Sequence, residues 1–513
     1  MRNSLMNVHL KKAGLITLMA AMPLVACTDL TEVPASSISP ENFYANEAEI
    51  IGGLASVYAQ LRTTTDEYYN VSEVSSDEII VPTRGTDWYD NGKWLDLDRQ
   101  TFTPNSAGGL DNINSAWTEL FRGVARANVV LTAIEGATFT NKDVVVAELR
   151  TLRAFYYYLL QDLFGGVPIV TDTEIAARPR NTRAEVFAFI EDELNETRLV
   201  LPVSWPQAMN GRLTRGAADA ILASLYLNAQ VFTGEVTAAG LQPGAPRWQD
   251  AADAADRVIN AGYTLATNWR SNFTADNHLS PEIIMAVKYV AVDGLGLNFV
   301  MRALHYHQYD ALQPWNGFAT IAETYNAFNP NDRRREIFLE GRQFNLITGL
   351  PVNDRAGNPL VFDPAITDPT QAGEGAGVRI VKWPVDPAHV AQNNGNDYAH
   401  FRLAEIILIK AEALNELGRT AEAIVLVNSV RARNFATPTP ITATTQAGVR
   451  TAIMNERLFE LTAEAKRRTD LIRYGRWNQP WFNKTVTDAY KVLMPIPQTQ
   501  IGTNPELVQN AGY

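Results

Sequence analysis

The chain reads as a mostly α-helical protein: a tetratricopeptide-like solenoid of helical hairpins, interrupted by one large loop-rich insertion. Three stretches carry that expectation. Ala147 to Pro168, AELRTLRAFYYYLLQDLFGGVP, places Leu149, Leu152, Tyr156, Leu159, Leu160 and Leu163 at intervals of three and four, the spacing of one buried helical stripe. His400 to Asn434 contains AEALNELGRTAEAI, two helical patterns joined at a tight glycine turn, which is the unit a solenoid repeats. Residues 268–399 lose the helical period and hold short strand-like runs such as Ile283 to Val287 among many turn residues, so they read as an excursion from the scaffold.

Taken in order, residues 1–26 are a signal segment to be set aside from the fold. Arg2, Lys11 and Lys12 form its positive region, and Ala13 to Ala26 is an apolar core too short to span a bilayer comfortably. That core ends in Leu24-Val25-Ala26-Cys27, similar to a lipoprotein processing box, with cleavage before Cys27 and lipidation on it. Cys27 is the single cysteine, so no internal disulfide is available and stability rests on packing. Residues 27–44 are a Pro-bearing polar tether, and Asp29 and Glu32 form a weak version of the acidic signal for the outer face of the outer membrane.

Residues 45–267 form the helical scaffold. Its first helix runs from about Ala45 to Arg62 through Ile50, Leu54, Val57 and Leu61. Residues 75–114, rich in Gly, Asp and Asn, read as a long loop with Trp88, Tyr89 and Trp94 set in polar sequence. Helices follow over 113–134 and up to Phe164, where Gly165 ends the helix and Pro168 bars its resumption. Thr182 caps a helix from Arg183 to Leu199, Thr214 caps one inside Gly211 to Gln230, and Trp248 to Asn260 stops at Gly262. Residues 400–513 hold the last hairpin and a C-terminal segment. No later apolar run reaches transmembrane length.

With 44 basic and 56 acidic residues the net charge is −12, a field that repels phosphate backbones and argues against nucleic acid as a partner. The chain has no G-x-S-x-G elbow, no H-E-x-x-H, no P-loop and no G-x-G-x-x-G opening a helix after a strand. Gly373-Glu374-Gly375-Ala376-Gly377 is a loop without a framing strand and helix. On a strand, His305 and His307 would share one side, but six histidines and no cysteine ligand give little for a metal site. The acids Asp77, Glu78, Asp87, Asp90, Asp96 and Asp98 are numerous, yet nothing singles out a hydrolytic pair. The run Asn331 to Glu336 reads as a solvated charged face. No cofactor, metal or catalytic group is expected.

The aromatics in non-core sequence point to binding. Trp88 and Trp94, and Tyr306, Tyr309 and Trp315 in HYHQYDALQPWNGF, sit among Gly, Asp and Asn. Sugar rings offer apolar C–H faces and polar edges, which suit flat aromatic rings flanked by hydrogen-bonding side chains.

The spelling of the helices resembles the SusD/RagB family of nutrient-uptake lipoproteins. The motifs run in family order: ELRTLRAFYYYLLQDLFGGVP, Arg178-Pro179 with EVFAFIEDEL, GRLTRGAADAILASLYL, ADRVINAGYTL, FRLAEIILIKAEALNELG, NERLFELTAEAKRRTDLIRYGRW and KVLMPIPQTQIGTNPELVQNAGY. AKRRTDLIR is a local departure. The resemblance implies four helical hairpins, a binding lobe in the insertion, attachment to the outer membrane, and no bond cleavage. It further implies capture of oligo- or polysaccharide for a SusC-type TonB-dependent transporter. Its aromatic arc falls on Trp88, Trp94, Tyr306 and Trp315, with Arg84, Asp87 and Asn316 as polar candidates. Two other readings stay open: a surface glycoside hydrolase, and a member of the family that binds peptide or another nutrient.

Overall fold

The computed structural model of the protein describes residue 44 and residues 46–513. Cys27, the signal segment and nearly all of the tether lie outside the described residues. The first part of the chain forms α1 (Glu47–Gln60), α2 (Glu67–Val74), α3 (Lys93–Asp98), α4 (Asn114–Ala133), α5 (Lys142–Phe164), α6 (Arg183–Thr197), α7 (Arg215–Leu227) and α8 (Trp248–Ile259). After the excursion come α9 (Leu403–Glu416), α10 (Thr420–Ala432), α11 (Gln446–Leu461) and α12 (Arg467–Arg473).

Helix α5 is the centre of the scaffold. Every residue from Thr151 to Phe164 is buried, so the apolar stripe read from the sequence is widened to the whole circumference. Its tyrosines carry their hydroxyls to partners, as buried phenols must. Tyr156 donates to the Val57 carbonyl at 2.9 Å, and Tyr158 Oη lies 2.8 Å from Ser224 Oγ, which pins α5 to α1 and α7. Gly123 of α4 has to be glycine, since a Cβ there would come within 2.5 Å of the Tyr156 ring. The helix ends at Gly165, whose φ of +75° a side chain would resist.

The helices pack in chain order: α4 on α5, α5 on α6, α6 on α7, α7 on α8 and α8 on α9, with α10 and α11 then packing on α9. Stacking of consecutive elements is what makes the scaffold a solenoid. Helix α6 starts with a full capping box, in which Thr182 accepts from the Glu185 amide and Glu185 accepts from the Thr182 amide. Because α8 touches α9 directly, residues 260–402 leave the stack and return to it. Strands β1 (Ile283–Val287) and β2 (Tyr398–Arg402) close that excursion as an antiparallel pair with Ile283 opposite Arg402 and Val287 opposite Tyr398. Residues 400–402, expected as the start of a helix, therefore belong to a strand. All five residues of β2 are buried, and pairing with β1 satisfies a backbone that a frayed first turn would leave unbonded.

Two further expectations are corrected. Residues 93–98 form α3 inside the stretch 75–114 expected to be loop. The run Asn331 to Glu336 is no uniform solvated face. Asp332 accepts from the Arg334 amide at 2.9 Å and so turns Arg334 inward, while Arg333 and Glu336 stay exposed. Arg334, fully buried, meets Asp332 at 2.7 Å, Glu456 at 2.6 Å and Glu460 at 3.0 Å. Arg402 and Arg433 also reach Glu460, at 2.5 and 2.6 Å. Burial alone would raise the Glu460 carboxyl, but Arg433, Arg402 and Arg334 hold it well below the usual range. These charges join the excursion to α10 and α11.

Among the described residues, no helix is long and apolar enough to cross a membrane.

Candidate functional site

The site forms where the loop before α3 meets the excursion. Ile80 and Ala319 exchange backbone hydrogen bonds of 2.8 and 2.9 Å, which ties the two segments together. A tight turn follows: the Arg84 and Asp87 backbones bond each other at 2.9 and 3.1 Å across Gly85, which has φ +65°. Trp88, Asp90 and Asn91 also have positive φ, at 62°, 39° and 56°, an uncommon backbone for residues with side chains.

That backbone places Trp88 at the hub of a cluster. Its ring centroid lies 5.7 Å from Trp94, 6.4 Å from Trp315 and 5.7 Å from Phe318, all at tilted or edge-on angles. Its indole N–H donates to the Trp315 carbonyl at 2.8 Å. Gly317 makes the approach possible, because a Cβ there would come within 2.3 Å of the Trp88 ring. Trp88 and Trp315 are half-buried, Tyr89 beside them is 58% exposed, and Trp94 is only 6% exposed. Trp94 was expected on a loop with its ring to solvent. As part of α3 it turns into the core, donates to Asp90 Oδ2 at 2.7 Å, and supports Trp88 from beneath.

The polar candidates divide in the same way. Arg84 and Asn316 are buried, with 1% and 0% of their surface exposed. Arg84 donates to the carbonyls of Gly373 and Ala376. Asn316 donates to the Glu374 carbonyl at 3.1 Å and accepts from Arg379 at 2.8 Å. Both are clamps on the 373–377 loop and present no face to a ligand. Asp87 and Tyr306 stay accessible, with the Tyr306 hydroxyl donating to Asp87 Oδ2 at 2.6 Å. Burial, then the Asp87 carboxylate, raises the Tyr306 phenol above its ordinary value.

Residues 305–307 follow a short helix at Phe299–Ala303 and turn, so no strand sets His305 and His307 on one side. His305 is buried with Nε2 2.8 Å from Glu374 Oε2, whereas His307 is exposed. Burial lowers the His305 pKa against the pull of Glu374, so its ring is neutral at pH 7. Among the described residues no group of three or more His, Cys, Asp or Glu is placed to hold a metal.

Arg355 and Glu374 complete the rim and escaped the sequence reading. The Arg355 guanidinium lies 4.4 Å over the Tyr306 ring, donates to Asp87 Oδ2 at 2.8 Å, and pairs with Glu374 through Nε. Burial tends to raise the Glu374 carboxyl, but the Arg355 amide, His305 and the Arg355 side chain bring it down to about 2. Such a carboxyl stays ionised and cannot serve as a general acid near neutrality. The assembled rim therefore offers ring faces and hydrogen-bonding edges.

Two family descriptions match the chain: "SusD family" over residues 356–485, and "Starch-binding associating with outer membrane" over residues 38–227. The chain belongs to the SusD/RagB family. It is 24% identical to a SusD-like protein of Formosa agariphila, covering 94% of this chain and 96% of that one. It is 27% identical to the starch-binding protein SusD of Bacteroides thetaiotaomicron, covering 87% and 85%. Surface glycan-binding protein A of Bacteroides thetaiotaomicron, solved with laminarihexaose, shares the fold with a TM-score of 0.71 at 20% identity, over 90% of this chain and 99% of that one.

Proposed function

We propose that the protein is a cell-surface glycan-binding lipoprotein, anchored to the outer membrane through Cys27. It captures oligo- or polysaccharide and delivers it to a SusC-type TonB-dependent transporter, whose lumen the helical scaffold covers as a lid. The observation that carries the reading is the meeting of Trp88, Trp94 and Trp315 in one cluster, from loops 227 residues apart. Half-exposed indoles beside Tyr306, Asp87 and exposed Tyr89 supply the flat faces and acceptors that sugars need. The starch-binding relative and the laminarihexaose complex support the same ligand class.

Native electrophoresis through gels containing α-glucans, β-glucans, mannans or pectins tests the reading. Retardation in at least one gel is expected, with no new reducing ends released. Unchanged mobility in all of them, or release of reducing ends that one carboxylate substitution abolishes, would overturn it.

A further inference from the structure

Resting on that glycan-binding reading, we propose that Arg355 and Asp87 form a donor–acceptor pair that reads hydroxyls on the edge of an uncharged sugar seated against Trp88 and Trp315. Arg355 stands at the tip of a hairpin turn. The Gly357 amide donates to the Asp354 carbonyl at 3.0 Å, and the Asp354 amide donates to the Asn358 carbonyl at 2.8 Å. The Arg355 amide donates to Glu374 Oε2 at 2.9 Å. Its side chain is 47% exposed, yet it is held by Glu374 on Nε and by Asp87 on Nη2, with its guanidinium over the Tyr306 ring. A guanidinium so placed is pre-organised, which lowers the ordering cost of binding.

Two atoms are left open. Arg355 Nη1 and Asp87 Oδ1 have no hydrogen-bond partner among the described residues. The N–H donors of Nη1 next to one acceptor match a hydroxyl pair, since each hydroxyl both donates and accepts. The same geometry disfavours an anion. Side-on bidentate capture of a carboxylate or sulfate uses the parallel N–H groups of Nε and Nη2, and that edge is already engaged by Glu374 and Asp87. The Asp87 oxygen would also face any anion docked at Nη1. The site thus selects neutral glycans over uronates and sulfated polymers, with Arg355 as the residue that fixes ring orientation.

The test is titration calorimetry of the full mature chain and its Arg355→Ala and Arg355→Lys variants against soluble amylose, laminarin, galactomannan and polygalacturonate. Equal urea midpoints for the three proteins serve as the check on folding. Binding to a neutral polymer is expected, weakened about tenfold in Arg355→Ala, the scale of one hydrogen bond to a charged group. Arg355→Lys should not restore it, because a rotatable ammonium lacks the planar fork that Asp87 and Glu374 hold in place. Undiminished binding by Arg355→Ala, or a preference of the unmodified protein for polygalacturonate, would overturn this assignment and leave the glycan reading standing. Failure of the unmodified protein to bind any of the four would overturn the glycan reading and this inference with it.

Discussion

At the scale of single residues, the cluster assigns different work to rings that look alike in sequence. Trp88 and Trp315 keep part of their surface open, and removing either ring should weaken glycan binding by about 1 kcal/mol, the size of one aromatic contact. Gel retardation of Trp88→Ala and Trp315→Ala reads this directly. Trp94 is closed off beneath Trp88, so Trp94→Ala should instead cost about 3 kcal/mol or more of folding stability, seen as a lower urea midpoint. Asp98 gives a pH-dependent prediction. Burial raises its carboxyl from 3.8 to about 7, against the hydrogen bond from Asn483. Between those values the folded state binds more protons than the unfolded one, so this group's contribution falls as pH rises from about 4 to about 7. Asp98→Asn should therefore flatten that decline, and the difference between its urea midpoint and that of the unmodified protein should grow up to about pH 7.

At the scale of elements, the sequence was most legible where burial follows a single period. Leu149, Leu152, Tyr156, Leu159, Leu160 and Leu163 mark α5 because they keep the helical period within a helix buried on all sides, and Thr182 marks the start of α6 because a cap is a local matter. Thr182→Ala should cost about 1 kcal/mol of stability, measured by chemical unfolding. Non-local packing hid the rest. Trp94 stands in polar sequence, but its place in α3 turns it onto the core. The basic run at 333–335 looks solvated until Asp332 turns Arg334 toward Glu456 and Glu460. Arg355 could not be picked out by spacing, since Asp87 lies 268 residues away and Glu374 19. Arg84 and Asn316 both donate to backbone carbonyls of the 373–377 loop, a contact that no residue pattern announces. The buried network predicts that Glu460→Gln, which leaves Arg334, Arg402 and Arg433 short of one anion, costs about 3–5 kcal/mol.

At the scale of the whole molecule, a stack of consecutive helices holds an excursion of 260–402 whose loops return to meet the loop before α3. The scaffold fixes where those loops meet, and on the proposed reading the loops carry the binding, a division common to binding proteins. On the proposed reading, Cys27 fixes the molecule to the outer membrane, so Cys27→Ala should move it from the membrane fraction to the soluble one, and a TonB-dependent β-barrel should co-purify with the lipidated form. The measurement that bears most directly on the central claim is retardation in glycan-containing native gels for the unmodified protein beside a Trp88→Ala, Trp315→Ala double variant of equal urea midpoint. The account predicts that a glycan slowing the unmodified protein leaves the double variant running as it does in a plain gel. Equal retardation of both proteins would contradict it.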